Sequence, residues 1–325
     1  MWILDLSHVI FVYTTMALSL TFNSVLIFFI HKHSFTGIGA FKAILFAVAG
    51  FNIMYSITMA VVMPVIHVYD LSFFLFTTGL GSIPEGASRL LVAVFCSLFA
   101  QSLCLLALQF VYRYVQVVRP SARFLFEEKS YLPIALYVIT AFDYGAVCFF
   151  NFAPSPVKDV HFSEQMWYSY QLNVTKVGYL GPIYMLDGEV QWLDVSGLLN
   201  VSTVIGLTLA AIPFCGIATY RALYKHDAAS EQTKQRQKQM FRLLLIQSFF
   251  PLAFTFVPSS AILVMSLFGR HIGARGNIVG MLLTVYPVIE PLVVLYFVGS
   301  YRKAIARYLG VGTHVTRRTS SVNKF

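Results

Sequence analysis

Residues 90–114 read LLVAVFCSLFAQSLCLLALQFVYRY, and this stretch decides the class of fold. Its first 23 residues contain no Lys, Arg, Asp or Glu, and Arg113 follows them directly. A helix of about 20 apolar residues crosses the hydrocarbon core of a bilayer. The stretch therefore predicts a membrane-spanning helix that ends at a basic boundary.

The rest of the chain repeats this pattern. The 325 residues are 58% hydrophobic and 11% charged, with a mean hydropathy of +0.72, whereas soluble domains carry about 25% charged residues. Further uncharged stretches cover 6–31, 43–66, 195–220 and 243–269. A soluble globular fold is excluded, and the net charge of +9 belongs to a membrane surface and not to a nucleic-acid site.

Seven apolar stretches are long enough to span, and backbone polar groups in lipid must be satisfied within each helix. We expect an all-α membrane protein, a seven-transmembrane-helix bundle over residues 1–310, followed by a short basic tail, 311–325. The predicted spans are 8–30, 43–66, 90–112, 131–152, 196–220, 243–266 and 277–299.

Basic residues predict the orientation. With the N-terminus outside, 18 of the 23 Lys and Arg residues fall in cytoplasmic segments, and the positive-inside rule favours that arrangement. We therefore expect an N-terminus outside and a cytoplasmic C-terminus. The longest loop, 153–195, is acidic and aromatic and belongs outside, where the sequon Asn173-Val174-Thr175 predicts a glycosylated Asn173.

Motifs at the expected cytoplasmic face carry the functional prediction. The third span ends in Tyr112-Arg113-Tyr114, and alone Arg113 fits an ordinary boundary anchor. A basic, helix-favouring segment follows in the third inner loop and continues into the sixth span. We expect Arg113 to contact a partner's helix there. The other motif residues are Lys234, Arg236 and Lys238 in the loop, Gln247, Pro251 and Pro258 in the sixth span, and Pro287, Glu290 and Pro291 in the seventh.

These motifs resemble the nematode Str class of seven-transmembrane serpentine chemoreceptors, which includes the diacetyl odorant receptor. The resemblance lies in the Tyr-Arg-Tyr after the third span, the run from Ser230 to Phe241, the stretch Gln247 to Pro251, and the Tyr-Pro-x-x-acid-Pro of the seventh span. It extends over most of the chain. The class commonly has Asp where this chain has Glu290.

The resemblance implies an olfactory G-protein-coupled receptor in sensory transduction, resident in the ciliary plasma membrane of chemosensory neurons as a multi-pass protein. Its expected partners are a small-molecule odorant, a heterotrimeric G protein and the bilayer, with no cofactor. Two features depart from the wider rhodopsin-like pattern. Tyr112 replaces the acid before Arg113, and no cysteine lies at the outer tip of the third helix, so Cys96 and Cys148 are expected to be free thiols.

Acids inside spans are costly and carry functional hypotheses by default. We expect Glu290 to act as a switch with Gln247, Pro251, Pro287 and Pro291, hydrogen-bonded to the second or third helix, or else to be a neutral acid that orders its helix. Two roles stay open for Asp143: a group that faces the ligand, or a group that makes a structural hydrogen bond. Asn23 is expected to bond to backbone of the seventh or second helix.

Helical spacing places the expected ligand site in the outer half of the bundle. Phe95, Phe99 and Ser102 share one face of the third helix. Aromatic and apolar neighbours suit a small neutral volatile molecule, although Arg89 would favour an acid and Asp143 an amine. The full predicted set is Phe95, Phe99, Ser102, Phe254, Val257, Met281, Thr284 and Asp143.

Two other classes compete with a receptor. A membrane hydrolase needs convergent metal ligands or an activated nucleophile, and the eight histidines form no metal-binding spacing, so no catalytic or metal site is predicted. A transporter or channel needs polar residues along successive helix faces, which the Phe-rich spans lack. The prediction is therefore a receptor and not an enzyme.

Overall fold

A computed structural model describes residues 6–33, 39–79, 83–126, 130–225 and 231–308. Its helices include seven segments long and apolar enough to cross a membrane. All seven overlap the predicted spans, so the predicted helix bundle is confirmed in the described part of the chain. The predicted tail, 311–325, lies outside it.

The helical elements follow one another as an antiparallel bundle with one extra helix between the fourth and fifth spans. Their bounds are α1 Leu6–His33, α2 Gly39–Val62, α3 Glu85–Val117, α4 Leu132–Asn151, α5 Pro156–Tyr170, α6 Trp192–Lys225, α7 Glu231–Pro251, α8 Val257–Leu267, α9 Asn277–Leu283, α10 Tyr286–Phe297 and α11 Gly299–Tyr308.

The second span ends earlier than predicted. Helix α2 stops at Val62, and Met63 has a left-handed backbone with φ of 41°. Pro64 disfavours helical backbone in the residue before it, and it opens strand β1, Pro64–Tyr69. The apolar run hid this change, because a short buried strand and a buried helix read alike in sequence.

A small antiparallel sheet covers one end of the bundle, which we call the sheet end. Strand β1 pairs with β2, Ser72–Thr77, through a two-residue turn, and β2 pairs with β3, Tyr179–Leu180, from the loop before α6. A second hairpin joins β4, Met185–Leu186, to β5, Glu189–Val190. An otherwise helical bundle thus carries a β cover that the sequence reading missed.

Helix α5 lies in that same loop and packs against the sheet. Ser155 caps its N-terminus by accepting a hydrogen bond from the Lys158 backbone at 3.3 Å, and Pro156 occupies the first turn, both favourable signals for a helix start. Its inner face buries Phe162 and Met166 against β1, β2 and β3. The loop 153–195 is therefore a folded layer.

The sixth and seventh spans are interrupted. Between Pro251 and Pro258, residues Leu252–Phe256 form a π-helical turn that joins α7 to α8, consistent with the predicted proline kink. The seventh span breaks between α9 and α10, where the Thr284 hydroxyl bonds the Met281 carbonyl at 2.8 Å. Each of these two spans is therefore divided into two helical segments by a stretch of altered helical geometry.

Candidate functional site

An apolar cavity of about 110 Å³ lies beneath the sheet, between α3, α4, α6 and α8. An apolar protein cavity of about 150 Å³ stays dry and accepts benzene, so this space suits a small apolar molecule. Most lining side chains are aliphatic or aromatic, with two serines, two cysteines and one tyrosine among them. The lining residues are Ile66, Phe73, Leu75, Phe95, Cys96, Phe99, Tyr144, Cys148, Phe152, Leu180, Pro182, Leu198, Val201, Ser202, Ile205, Ser259, Ile262, Leu263 and Leu283.

Two predicted ligand residues line this cavity. Phe95 is buried and Phe99 is half-buried, both on the inward face of α3. The Phe99 ring also contacts the ring of Phe256, with centroids 5.3 Å apart. Since Phe256 belongs to the π-helical turn, Phe99 connects the cavity wall directly to the break in the sixth span.

Six predicted ligand residues lie outside the cavity lining. Ser102 is buried one turn below Phe99 and donates to its carbonyl at 2.7 Å. Phe254 stacks on Phe250 at 6.4 Å. Val257 is 66% exposed on the outer surface of α8, so its predicted inward placement is wrong. The π-helical turn explains the last error, because it rotates every later residue away from regular helical spacing.

The other three predicted ligand residues outside the lining lie on the seventh span, which carries Met281 and Thr284, and on α4, which carries Asp143. The Thr284 hydroxyl donates a hydrogen bond to the Met281 carbonyl at the helix break. Leu283, which lies between these two residues in the chain, lines the cavity instead. Asp143 is half-buried and lies outside the lining. Arg89 also lies outside it, with its guanidinium 4.2 Å from the centre of the Phe149 ring.

Sequence reasoning missed the walls contributed by α4, α6 and the sheet. Tyr144, Cys148 and Phe152 come from α4, and Leu198, Val201 and Ser202 from α6. Helices that are apolar all round give no signal to separate the lipid side from the inner side. Tyr144 is a residue whose type could have indicated the inner side of α4, because a hydroxyl in an apolar span favours the protein interior.

A buried polar network joins α1, α2 and α10. The Asn23 amide donates to the carbonyl of Pro287 at 2.9 Å, which confirms its predicted bond to the seventh span. The Asn52 amide donates to a carboxylate oxygen of Glu290 at 2.9 Å and to the Asn23 side-chain oxygen at 3.3 Å. Ser19 joins the network through Ser56 at 2.7 Å.

Two of the predicted switch residues, Glu290 and Pro287, belong to this network. Glu290 bonds the second helix as expected, while its switch role stays a prediction. Pro287 contributes its carbonyl, and Pro291 is buried one turn further along α10. Gln247 is buried in α7, and Pro251 is the last residue of that helix.

The opposite end of the bundle, which we call the Arg113 end, brings α3 and α7 together. Arg113 is buried, and its guanidinium donates to the Gln237 side-chain oxygen at 3.4 Å. Gln109, Tyr112 and Gln247 border the same small pocket. One hydrogen bond between α3 and α7 at this end is thus made to a neutral amide.

The other predicted coupling residues surround this link. Tyr112 is buried against Phe126, with ring centroids 5.3 Å apart, and the Tyr114 hydroxyl accepts from Arg119 at 3.4 Å. The Lys238 ammonium lies 4.6 Å from the centre of the Tyr224 ring, and Lys234 is half-buried. Arg236 lies on α7, with its side chain outside the described part of the structure.

At the sheet end, polar contacts fasten the loop 153–195 onto the bundle. The Ser88 hydroxyl on α3 donates to the Gly178 carbonyl at 2.9 Å. A Cβ added at Gly178 would overlap the Glu85 carbonyl oxygen, so the loop backbone lies directly on α3. Cys96 and Cys148 are free, as expected, and the cysteines in the described ranges form no disulfide.

A buried ion pair makes the second attachment. The Lys158 ammonium on α5 lies 2.7 Å from a carboxylate oxygen of Asp194 on α6, with the two side chains 10% and 3% exposed. The other oxygen of Asp194 accepts from the Ile183 backbone at 3.1 Å. The ammonium also donates to the Asn151 carbonyl at 3.4 Å. One ion pair therefore joins the end of α4, the start of α6 and helix α5.

A buried histidine lies in the sheet itself. The His67 imidazole shares a hydrogen bond of 2.7 Å with the Tyr170 hydroxyl and stacks on Phe74 at 4.9 Å. Burial lowers the pKa of His67 to about 4, and a weaker interaction with Gln165 opposes this shift. The imidazole is therefore neutral at neutral pH, in contact with aromatic rings.

The predicted sequon is on the surface of the same loop. Asn173 is exposed, and its side-chain oxygen accepts from the Thr175 backbone at 3.1 Å and from the Thr175 hydroxyl at 2.9 Å. Both sequon side chains therefore lie together on an accessible turn.

Seven membrane-length helices, with a cavity between α3, α4, α6 and α8 and an arginine at the far end of the third span, define a membrane protein of the rhodopsin fold. Squid rhodopsin superimposes with a TM-score of 0.61 over 94% of this chain and 85% of that chain, at 11% sequence identity, which shows the shared fold alone.

Residues 8–306 match the family described as serpentine type 7TM GPCR chemoreceptor Str, and the chain belongs to that family. Serpentine receptor class r-10 of Caenorhabditis briggsae is 24% identical over 89% of this chain and 87% of its own length. The G-protein coupled receptor str-33 of Caenorhabditis elegans is 24% identical over 91% and 88%. The protein is thus a multi-pass membrane receptor and not an enzyme.

Proposed function

We propose that this receptor is an olfactory receptor, which binds a small neutral volatile molecule in the cavity and activates a heterotrimeric G protein at the Arg113 end. The proposal places the N-terminus and sheet end outside the cell, and the Arg113 end in the cytoplasm of a chemosensory cilium. The 18 to 5 division of basic residues supports this orientation.

One observation carries the proposal: Phe99 lines the cavity and contacts Phe256 at the π-helical turn. A ligand that displaces Phe99 must move or repack Phe256, because the packed interior leaves few voids. The same span continues through α7 to Gln237, which bonds Arg113. A change at the cavity is therefore connected to the far end through one interrupted helix.

The Arg113 contact sets how easily that change is made. A hydrogen bond from a charged donor contributes roughly 1.5–3 kcal/mol at good geometry, and 3.4 Å is longer than the usual distance. The hydrogen bond to Gln237 is therefore a weak one among the contacts that hold α7. Separation of α7 from α3 would free the guanidinium for carbonyl groups at the end of a partner's helix.

The test begins with volatile panels on cells that express the receptor with a calcium or cyclic-nucleotide reporter. For an active compound, Phe95→Ala and Phe99→Ala are expected to raise the half-maximal dose about tenfold or more, equivalent to ~1.4 kcal/mol. Phe150→Ala is the matched control, since that ring is exposed on the lipid side of α4. Unchanged dose curves for both cavity variants would refute the ligand site.

Coupling is tested separately from binding. Arg113→Ala is expected to abolish G-protein activation while surface level and ligand binding persist, and Arg113→Lys to recover only part of the response, because an ammonium lacks the planar donors of a guanidinium. If Arg113→Ala instead reaches the surface and signals normally, the proposed coupling role is refuted. If it loses surface expression as well, Arg113 is a structural anchor.

A further inference from the structure

One residue of the cavity lining belongs to the exposed surface of the protein. Among the nineteen residues that line the cavity, all of them in the described ranges, only Ser202 on α6 is exposed. The others are buried or half-buried. Ser202 is therefore the lining residue at which an entrance is to be sought.

The sheet closes the cavity on the side toward water. Ile66, Leu75, Leu180 and Pro182 line the cavity there and are all buried. Above them, Phe74 and Phe76 pack with residues of α5 in a second buried cluster. A ligand that entered from this side would have to displace hydrogen-bonded strands and their aromatic core.

The exposed wall lies on the lipid-facing surface of the bundle. Leu199, Ser202 and Gly206 share one face of α6, and all three are exposed, Leu199 at 64%. Ser202 lies ten residues into α6, about 15 Å along its axis, inside the uncharged stretch 195–220. The outer surface of α8, away from the cavity, is also apolar, with Val257 and Val264 exposed.

Small residues are present on both helices at this side of the cavity. Ser202 on α6 and Ser259 on α8 both line the cavity. A Cβ added at Gly206 would meet no atom within 4 Å. The exposed surface of α6 at Gly206, about one turn beyond Ser202, therefore has room for a larger side chain.

From this geometry we infer that ligands enter the cavity from the bilayer, between α6 and α8, and are therefore uncharged molecules that partition into the membrane before they bind. This inference rests on the proposed ligand site. A charged molecule is excluded twice, since the hydrocarbon core and the apolar cavity both penalise charge.

A residue that narrows such a passage has a distinct kinetic effect. It slows entry and exit by the same factor, so the equilibrium dissociation constant stays constant, whereas a residue that contacts bound ligand changes that constant. Access can therefore be measured by itself, without an agonist or a G protein.

Two native thiols provide the measurement. Cys96 and Cys148 line the cavity and are free. Full-length receptor in lipid nanodiscs is treated with methyl methanethiosulfonate, which is uncharged, or with its sulfonatoethyl analogue, which is anionic. Modification of each cysteine is followed over time by peptide mass spectrometry. We expect the uncharged reagent to modify both cavity thiols and the anionic reagent to leave them unmodified.

The passage is tested by Ser202→Trp, which is expected to slow modification about tenfold or more, equivalent to an added barrier of ~1.4 kcal/mol. Gly206→Phe fills the same passage from the next turn without lining the cavity, and it covers the case in which Ser202→Trp fails to fold. Leu207→Trp is the matched control, because Leu207 is 69% exposed on the same helix and does not line the cavity.

Three results would overturn the inference. The anionic reagent could modify the cavity thiols as fast as the uncharged one, which would indicate a water route. Folded Gly206→Phe could react at the wild-type rate, which would indicate another entrance. The uncharged reagent could leave both thiols untouched while it modifies the denatured chain, which would indicate a closed cavity. None of these depends on signalling, so failure of the proposed function is recognised separately.

Discussion

Replacement of Asp194 by asparagine isolates the ion pair that holds the loop 153–195 on the bundle. The change keeps an oxygen that can accept from the Ile183 backbone, but it leaves the Lys158 ammonium buried without a counter-charge. Loss of one partner of a buried pair costs about 3–5 kcal/mol. That is a large share of the 5–15 kcal/mol by which folded domains are typically stable.

The assay is thermal unfolding of the purified receptor in detergent, together with surface expression in cells. Asp194→Asn is expected to lower the unfolding temperature by roughly 6–20 °C, given about 3–5 kcal/mol lost and about 2–4 °C per kcal/mol for domains of 150–250 residues. The loop residues Leu180 and Pro182 line the cavity, so ligand binding is expected to weaken as well.

The matched control is the double variant Lys158→Met with Asp194→Asn. It removes the buried charge and keeps the apolar stem of residue 158, and replacement of a buried pair by apolar groups is often neutral. The double variant is therefore expected to recover most of the lost stability. If it is as unstable as Asp194→Asn alone, the reasoning from an unpaired buried charge is refuted and the geometry of Asp194 itself must be responsible.

Three further predictions concern the glycan, the orientation of the chain and the sheet. Asn173→Gln is expected to abolish a glycosidase-sensitive shift in mobility, and a tag after Phe325 to stain only in permeabilised cells; staining of intact cells would reverse the orientation. Acid is expected to destabilise the sheet, because the unfolded chain binds a proton at His67 near pH 6.5 while the folded chain resists it down to about pH 4. Stability is therefore present above that window and lost as pH falls through it, by about 2 kcal/mol between pH 7.5 and 5. His67→Gln is expected to flatten this dependence in a melting series, and an unaltered slope would show that other groups cause it.

The sequence revealed those parts of the fold that depend on charge. Lipid excludes ionised groups so strongly that seven apolar stretches, five of them without any charged residue, located the seven spans. The same argument singled out Glu290 and Asn23, and their bonds to Asn52 and Pro287 follow from the need to satisfy buried polar groups. Such residues are informative because few neighbours are able to satisfy them.

The cavity was only partly predictable for the opposite physical reason. Lipid tails and a protein interior are equally apolar, so α4 and α6 show no preferred face in sequence. The β cover was hidden in the same way, since Pro64–Tyr69 continues the apolar run of α2. Residues after Pro251 were misplaced because the π-helical turn alters the phase of the sixth span, which put Val257 on the lipid side.

The departures from the rhodopsin-like pattern share a consequence at the two ends of the molecule. At the sheet end, Ser88, Gly178 and the Lys158–Asp194 pair hold the loop on the bundle by non-covalent contacts. At the Arg113 end, a bond to the neutral amide of Gln237 holds α7 to α3. All of these contacts are non-covalent, and the hydrogen bonds among them are individually weaker than a disulfide. A binding energy of a few kcal/mol, which is what a small apolar molecule supplies, is then comparable to the restraint it has to overcome.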